Sequence, residues 1–257
     1  MFTGPQWQRR EDRRARILQL VEQLQAAYGP QLVVIGLYGS AANETDGPFS
    51  DSELFCVVDQ NGLDKKFVWV DEQGKVELDL CDKKAVVRKA TRVDADWPRR
   101  GKFRIAKRLY GDKAYFDYLM TLPYSLPNAV FDNVMIDIIL GHYEAIGKLR
   151  NARAREEHSY LPQLACTFAE FNALLIGLAH RALYSTGSKM LAESMVLPHR
   201  PQGHDALCQL VMSGQLGDAE MVTTVLEDAW TGIGPWAERQ QLNVAAVLRN
   251  PMNVETK

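Results

Sequence analysis

Two carboxylates separated by one residue follow a glycine–serine turn in the segment GLYGSAANETDGPFSDSELF, residues 36–55. Successive side chains of a strand point to opposite faces, so Asp51 and Glu53 share one face of a strand that contains both. Two carboxylates held this close repel each other unless a cation lies between them, and Mg²⁺ prefers oxygen ligands of this kind. The spacing therefore indicates a site for a divalent cation.

The turn before these acids has residues suited to contacting phosphate. Gly39 lets the backbone approach a ligand closely, and Ser40 offers an N–H and a hydroxyl at the start of a helix. The chain has no Gly-Lys-Ser/Thr, so this is not the P-loop pattern. Turn and acids together outline a nucleotide site. The competing interpretation is an ordinary turn followed by a solvated acidic face.

A third carboxylate comes from the segment KVELDL, residues 75–80. Alternation places its three apolar residues toward the core and Lys75, Glu77 and Asp79 on the opposite face. If this strand lies beside residues 53–58, Glu77 or Asp79 completes a three-acid cluster. Three acids can hold two Mg²⁺ ions for phosphoryl transfer. A polar sheet face that binds no metal is the alternative, particularly for Asp79.

The elements that must position these residues divide the chain in two. Strand patterns cover residues 31–39, 53–58, a hairpin over 66–80, and 102–111, with helical periodicity in 7–28, 82–93 and 112–122. Helical periodicity then recurs in 128–153, 160–185, 203–213 and 218–240. We predict an α+β fold, with a mixed sheet and flanking helices over residues 1–125 and a helical bundle over residues 126–257.

Composition argues against several classes of protein. The net charge of −2 is not that of a general nucleic-acid binder, and the arginines of residues 9–16 are interrupted by acids, as on a solvated helix face. We find neither an apolar run near 18 residues nor a secretory signal, so no membrane partner is expected. The cysteines are widely spaced in apolar patterns, which is typical of reduced core residues in a cytoplasmic protein.

The order of Gly-Ser, a spacer, Asp-x-Glu and a third acid on a later strand resembles the polymerase-β-like nucleotidyltransferases. Segments of the second half, above all YEAIGKLRN at residues 143–151 and CQLVMSGQL at residues 208–216, resemble one branch of them. That branch is the aminoglycoside 4′-O-nucleotidyltransferases, the kanamycin nucleotidyltransferase-like family. The resemblance extends from residue 30 to residue 240.

The resemblance implies a reaction and its participants. AMP is transferred from Mg·ATP to the 4′-hydroxyl of an aminoglycoside antibiotic such as kanamycin, tobramycin or amikacin, and pyrophosphate is released. Such transfer confers antibiotic resistance. The cofactors implied are two Mg²⁺ ions, with ATP as co-substrate. The partners implied are the aminoglycoside, a nucleoside triphosphate and a second copy of the chain, in a homodimer with its active site at the interface.

The resemblance also implies roles for residues of the first half. Gly39 and Ser40 would hold the triphosphate, and Asp51, Glu53 and Glu77 would hold Mg²⁺. Lys75 and Glu77 would lie near the aminoglycoside.

Further implied roles fall on other segments. Glu144 would be the general base and Lys148 the phosphate-binding cation, with Asp137 near the aminoglycoside. Thr186 matches a threonine near the nucleotide. Asn43 also lies at the nucleotide, but it stands where a relative has arginine.

The helix that carries the implied base can be examined by its own pattern. Asp137, Gly141, Glu144 and Lys148 form a polar stripe at steps of four, three and four residues. Gly141 costs about 1 kcal/mol against alanine in a helix, and its place on this stripe would leave room for a ligand. The alternative for Glu144 and Lys148 is an ordinary exposed ion pair.

Two further expectations concern charge and packing. Acids of both halves of the chain would together line an acidic cleft. This cleft would pair with the ammonium groups of the aminoglycoside and would repel a nucleic-acid primer. The acids are Glu44, Asp46, Glu77, Asp79, Asp137 and Glu144. Leu140 stands where a relative carries an additional glutamate. Asp137 or His142 would compensate for the missing glutamate. His142 also falls on the apolar stripe of the helix predicted over residues 128–153, which is typical of a residue packed in the core.

A second class of function remains open at this point. A toxin–antitoxin-type protein joins a nucleotidyltransferase-like domain to a helical RNase-type domain that carries arginine and, four to six residues later, histidine. The segment RAREEH, Arg153 to His158, fits this pattern loosely.

Overall fold

The computed structural model describes residues 4–71 and 74–244 of the chain. The described chain forms two compact units. The first contains the residues up to Arg92 and Arg100–Leu126, and the second contains Val93–Arg99 and the residues from Pro127 onward. The grouping of Val93–Arg99 with the second unit was not predicted from the sequence.

A five-stranded mixed sheet forms the centre of the first unit. Its strands are β1 (Leu32–Tyr38), β2 (Ser52–Val58), β3 (Asp64–Asp71), β4 (Gly74–Asp82) and β5 (Lys107–Gly111). They lie in the order β3-β4-β2-β1-β5. Only β2 and β4 run parallel, and the other pairs are antiparallel. This confirms the predicted α+β class, although the last strand is shorter than the predicted 102–111.

Helices pack on both faces of this sheet. They are α1 (Arg10–Tyr28), α2 (Gly39–Ala42), α3 (Lys83–Ala90) and α4 (Lys113–Thr121). The apolar side of α1 packs on one face, as its Ile17, Val21 and Leu24 pattern predicts. The other face packs around Phe55, whose ring lies 5.2 Å from that of Phe103. This second face also bears the candidate acids, because Glu53 and Phe55 alternate to the same side of β2.

The arginine-rich start of α1 has an internal role. Arg13 forms a hydrogen-bonded ion pair with Asp46 in which both side chains are only 2% exposed. Arg10 binds the other oxygen of Asp46 at 2.9 Å, and Arg16 pairs with Asp71. The expectation of a solvated arginine face is therefore wrong for Arg13, which clamps the loop that follows α2.

The second unit is a helical bundle, as predicted. Its helices are α5 (Asn128–Arg155), α6 (Leu161–Ala179), α7 (Met190–Ser194), α8 (His204–Ser213) and α9 (Ala219–Arg239). Side chains of α5, α6, α8 and α9 share one core, which includes Ile146, Leu149, Phe168 and Leu226. The short helix α7 was not predicted.

Helix α6 departs from two sequence expectations. The segment His158–Ala179 has the length and apolar composition of a membrane-crossing helix, although we expected no apolar run of that size. In the structure, 67% of the most apolar part of this segment is buried, as is typical of the core helix of a globular protein. Cys166 on this helix is exposed, whereas Cys56, Cys81 and Cys208 are buried as predicted.

Candidate active site

Strands β2 and β4 bring the predicted acids side by side. In their parallel register Glu53 lies opposite Glu77, and Phe55 lies opposite Asp79. Asp51 immediately precedes β2. Alternation predicted which residues share a face, on the condition that the two strands are neighbours, and the observed pairing of β2 with β4 meets that condition.

The glycine–serine turn lies against the same carboxylates. Tyr38, the last residue of β1, pairs with Glu53 across the β1–β2 ladder. Gly39 follows with a φ of +72°, a left-handed conformation that L side chains rarely adopt. A Cβ at Gly39 would overlap Glu53 Oε2 and would lie 2.8 Å from Glu53 Cδ. The backbone angle therefore favours glycine at position 39, and a side chain there would displace the carboxylate of Glu53.

Glu53 has the strongest electrostatic perturbation of the candidate acids. Burial raises the pKa of Glu53 to about 7, and repulsion from Asp51 and Glu77 adds to the effect, against the opposing influence of Lys102 and Lys75. Burial also raises the pKa of Tyr38, and repulsion from Glu53 and the neighbouring acids adds to this effect. A half-buried place where carboxylates repel each other is stabilised by added positive charge. The donor set therefore fits a divalent cation.

Lysines supply positive charge at the outer side of this cluster. Lys75 donates a hydrogen bond to Glu77 and lies 3.6 Å from Asp51, and Lys66 lies 2.6 Å from Glu77 Oε2. Although burial would raise the pKa of Glu77, the hydrogen bonds from Lys66 and Lys75 hold it below its ordinary value. Among the described residues, no three His, Cys, Asp or Glu side chains are grouped closely enough in this structure to hold a metal ion.

Asp79 and Glu77, the two candidates for the third acid, have different ion-pair partners. The buried carboxylate of Asp79 accepts hydrogen bonds from Lys89 at 2.5 Å and from Lys102 at 2.6 Å. Burial would raise the pKa of Asp79, but Lys102 and Lys89 lower it below its ordinary value. Glu77 is the acid opposite Glu53, whereas Asp79 is held in internal ion pairs.

The two lysines that bind Asp79 were not singled out from the sequence. Lys102 is 23 residues from Asp79, and Lys89 is 10 residues from it. Neither residue belongs to a motif with fixed spacing, and lysines on helices and in loops are ordinarily solvated. In the sequence, Asp79 is the one indication of these lysines, because a carboxylate that is buried in a strand requires a positively charged partner.

The loop after α2 holds other predicted residues. Ser40 lies within α2, and the exposed Asn43 caps this helix by donating its backbone N–H to Gly39 O at 3.3 Å. Glu44 pairs with Lys107 at 2.6 Å. Asp46 was expected to face an acidic cleft, which is wrong, because the buried pair with Arg13 occupies its carboxylate.

In the second unit, helix α5 carries the predicted base and cation. Glu144 Oε1 and Lys148 Nζ lie 2.7 Å apart, and both side chains are well exposed. The hydrogen bond from Lys148 lowers the pKa of Glu144. Asp137 is exposed on the same helix. The expectation that Gly141 leaves room for a ligand is wrong, because a Cβ there would lie 3.0 Å from the ring of Phe171.

The remaining predicted positions lie in the same unit. Thr186 Oγ1 lies 2.8 Å from Ser188 Oγ at the start of a short 3₁₀ turn. His142 is fully buried, as its apolar stripe predicts, and its ring hydrogen-bonds Ile138 O and Asn172 Oδ1, each at 2.9 Å. Burial lowers the pKa of His142 to about 4. His142 therefore belongs to the core and does not compensate for Leu140, which is exposed.

Comparison with known proteins identifies the family of this chain. The KNTase C-terminal domain family matches residues 113–243. An aminoglycoside nucleotidyltransferase (4′) of Staphylococcus aureus is 34% identical over 252 residues, covering 97% of this chain and all of the relative, and one of a Bacillus species matches equally. A solved nucleotidyltransferase-like protein from Exiguobacterium sibiricum is 14% identical at a TM-score of 0.49, over 90% of this chain and 77% of its own. The identity to the two curated relatives and the family match show that this chain is a nucleotidyltransferase and belongs to the aminoglycoside nucleotidyltransferase (4′) family.

Proposed function

We propose that the protein transfers AMP from Mg·ATP to the 4′-hydroxyl of an aminoglycoside antibiotic and releases pyrophosphate. The observation that carries the proposal is the placement of Glu53 against Gly39 and opposite Glu77. This places carboxylates that favour a cation beside a turn whose backbone can approach phosphate. The named activity of the curated relatives supplies the aminoglycoside as acceptor.

In this proposal the first unit binds the nucleotide. Asp51, Glu53 and Glu77 would hold Mg²⁺, which, when bound, neutralises the triphosphate and stabilises charge on the reacting phosphate. Gly39 and Ser40 would contact the phosphates through backbone N–H groups and the serine hydroxyl. Lys75, already bonded to Glu77, would move toward the substrates when the acids bind cations.

The second unit would supply the acid–base chemistry. Glu144 is exposed, and its lowered pKa keeps it anionic near neutral pH, so it can accept the proton of a sugar hydroxyl. Lys148 would compensate negative charge on the phosphate. Asp137 would pair with an ammonium group of the aminoglycoside. Thr186 and Asn43 would contact the nucleotide.

The setting of the reaction belongs to the same proposal. Residues 1–125 would form the catalytic domain, and residues 126–257 would contribute the base, substrate contacts and a dimer interface. The enzyme would act in the cytoplasm as a homodimer that shares its active site across the interface. Its partners would be the aminoglycoside and a nucleoside triphosphate, with no nucleic acid or membrane.

The direct test incubates the purified protein with Mg²⁺, labelled ATP and either tobramycin or an RNA. We expect label to pass from the α-phosphate to tobramycin and pyrophosphate to be released, while the RNA remains intact. Asp51→Asn should nearly abolish transfer, whereas Asp59→Asn, which changes an exposed acid paired with Lys83, should not. Cleavage of RNA without modification of tobramycin would instead support the toxin–antitoxin interpretation and refute the proposal.

The role of Glu144 has a matched control elsewhere in the chain. Glu144→Ala should lower kcat by about 10²–10⁴-fold, the usual contribution of a general base, while nucleotide binding changes little. Asp117 forms a comparable exposed i,i+4 pair with Lys113, at 2.6 Å on α4. Asp117→Ala should leave kcat unchanged. Equal rates for the two variants would remove Glu144 from the chemistry.

A further inference from the structure

Lys102 is held firmly although it lies in a loop. The backbone around it forms a tight turn, in which Gly101 O accepts hydrogen bonds from the N–H groups of Arg104 and Ile105 at 2.9 and 3.0 Å. The next residue, Phe103, is buried in the core against Phe55. The Lys102 side chain is only 14% exposed. Its ammonium therefore has a fixed place, unlike that of a surface lysine.

The ion pairs around Lys102 contain more positive than negative charge. Asp79 is bound by Lys89 at 2.5 Å and by Lys102 at 2.6 Å. Lys89 also contacts Asp64, which in turn has Arg88 as a second partner, each contact at 2.5 Å. The three cations and two carboxylates leave one positive charge in excess. Lys89 alone could neutralise the Asp79 carboxylate, and Lys102 brings a second ammonium to it.

The ammonium of Lys102 lies against a side chain of the strand that leads into the Gly39 turn. Its Nζ lies 4.7 Å from the centroid of the Tyr38 ring, which holds a cation by its π-electrons. Tyr38 directly precedes Gly39 and pairs with Glu53. Lys102 therefore supplies a largely buried ammonium, 14% exposed, near the residue that precedes Gly39, whereas Lys66 and Lys75 are 56% and 43% exposed.

We propose that Lys102 binds the triphosphate of the nucleotide, as a fixed cation behind the Gly39 turn. This inference rests on the proposed function, because it assigns a further contact to the same site. An ammonium group binds phosphate as a point charge, and a partly buried one does so with less competition from water. An ammonium group has three hydrogen-bond donors, so Lys102 can bind phosphate without leaving Asp79, and Lys89 remains a second partner of that carboxylate.

The test measures binding of inorganic tripolyphosphate by calorimetry in the presence of Mg²⁺. We expect Lys102→Met to weaken binding by about tenfold, the loss of one charge-assisted contact, and Lys102→Arg to retain most of it. Lys83→Met removes the same charge from an exposed pair with Asp59 and should bind as the wild type does. In the transfer assay, Lys102→Met should raise KM for the nucleotide and leave KM for the aminoglycoside unchanged.

A double variant separates phosphate binding from a purely structural role. If Lys102 only neutralises Asp79, removing both charges in Asp79→Asn/Lys102→Met should restore wild-type affinity for tripolyphosphate. We expect this double variant to bind as weakly as Lys102→Met, and restored affinity would overturn the inference. The double variant also leaves no uncompensated buried charge, so it tests the inference if Lys102→Met fails to fold.

The outcome for Lys102 can be distinguished from that of the proposed function. Tripolyphosphate binding requires no acceptor and no transfer. A wild-type protein that binds tripolyphosphate through Lys102 but does not modify an aminoglycoside would refute the proposed acceptor and retain the phosphate contact. A wild-type protein that transfers AMP while Lys102→Met binds tripolyphosphate within twofold of wild type would refute the contact alone.

Discussion

Replacement of Gly39 by alanine tests whether the turn and the carboxylates form one site. Gly39 has a φ of +72°, and Gly62, in the turn between β2 and β3, has a φ of +82°. A Cβ at Gly39 would lie 2.8 Å from Glu53 Cδ, whereas a Cβ at Gly62 would have no atom within 4 Å. The two substitutions therefore impose a similar backbone cost, and only Gly39→Ala displaces a carboxylate.

The expected magnitudes follow from these distances. The left-handed backbone should cost each alanine variant about 1–2 kcal/mol of unfolding free energy. Carbon atoms in contact keep about 3.5–4.0 Å between them, so the carboxyl carbon of Glu53 must retreat by roughly 1 Å in Gly39→Ala. A displacement of this size at a reacting site can lower the rate by about 10²-fold.

Two measurements on the same variants test this reasoning. Urea unfolding should show both variants destabilised by similar amounts. Labelled transfer should show kcat/KM about 100-fold lower for Gly39→Ala and nearly unchanged for Gly62→Ala. If Gly39→Ala keeps wild-type kcat/KM, or if Gly62→Ala loses as much activity as Gly39→Ala, the contact between the turn and Glu53 has no part in catalysis.

Three further predictions concern stability. Glu53→Gln should stabilise the metal-free protein by about 1–3 kcal/mol at pH 8, discounted for partial exposure, and by nothing below pH 4.5. The reason is that burial raises the pKa of Glu53 from 4.5 to about 7, so the wild-type protein loses stability as Glu53 ionises between these pH values. Urea unfolding of both proteins from pH 4.5 to pH 8 measures the difference in unfolding free energy, and a difference that does not change with pH would contradict the prediction. The wild-type protein should gain stability as pH rises from 4 to 6.5, because burial lowers the pKa of His142 from 6.5 to about 4 and the unfolded chain therefore binds more protons in this interval. His142→Gln should reduce this gain, and an unchanged pH dependence of thermal unfolding would refute the prediction. Asp46→Asn should lower the unfolding free energy measured in urea by about 3–5 kcal/mol, because Arg13 is then buried without its carboxylate. Asp205→Asn, in a more exposed pair with Arg200, should lower it by at most about 1 kcal/mol, and equal losses would argue against the buried ion pair of Arg13.

The alternation of side chains along strands made the acid cluster predictable. Lys75, Glu77 and Asp79 were assigned to one face because the apolar residues between them had to face a core. The same rule put Asp51 and Glu53 together. Alternation leaves the register between strands open, and therefore it could not choose between Glu77 and Asp79. The parallel pairing of β2 with β4 places Glu77 opposite Glu53.

The errors concern residues whose partners are distant in the chain. Arg13 resembles its neighbours on an exposed helix face, but Asp46 lies 33 residues away and draws it into the interior. We predicted that Gly141 leaves room for a ligand, but a Cβ at Gly141 would lie 3.0 Å from the ring of Phe171 on helix α6. Each of these contacts depends on how separate elements pack, which the period of a single element does not contain.

The sequence by itself determined the local chemistry of this protein: which strand faces bear carboxylates, where a glycine turn precedes them, and where helices replace strands. These properties follow from side-chain alternation, helical periodicity and turn residues, all of which act over a few positions. The tertiary structure alone decided which charges are neutralised. Ion pairs such as Asp79 with Lys102 form because folding brings residues from separate segments within 3 Å in a place with little water, where each charge needs a partner.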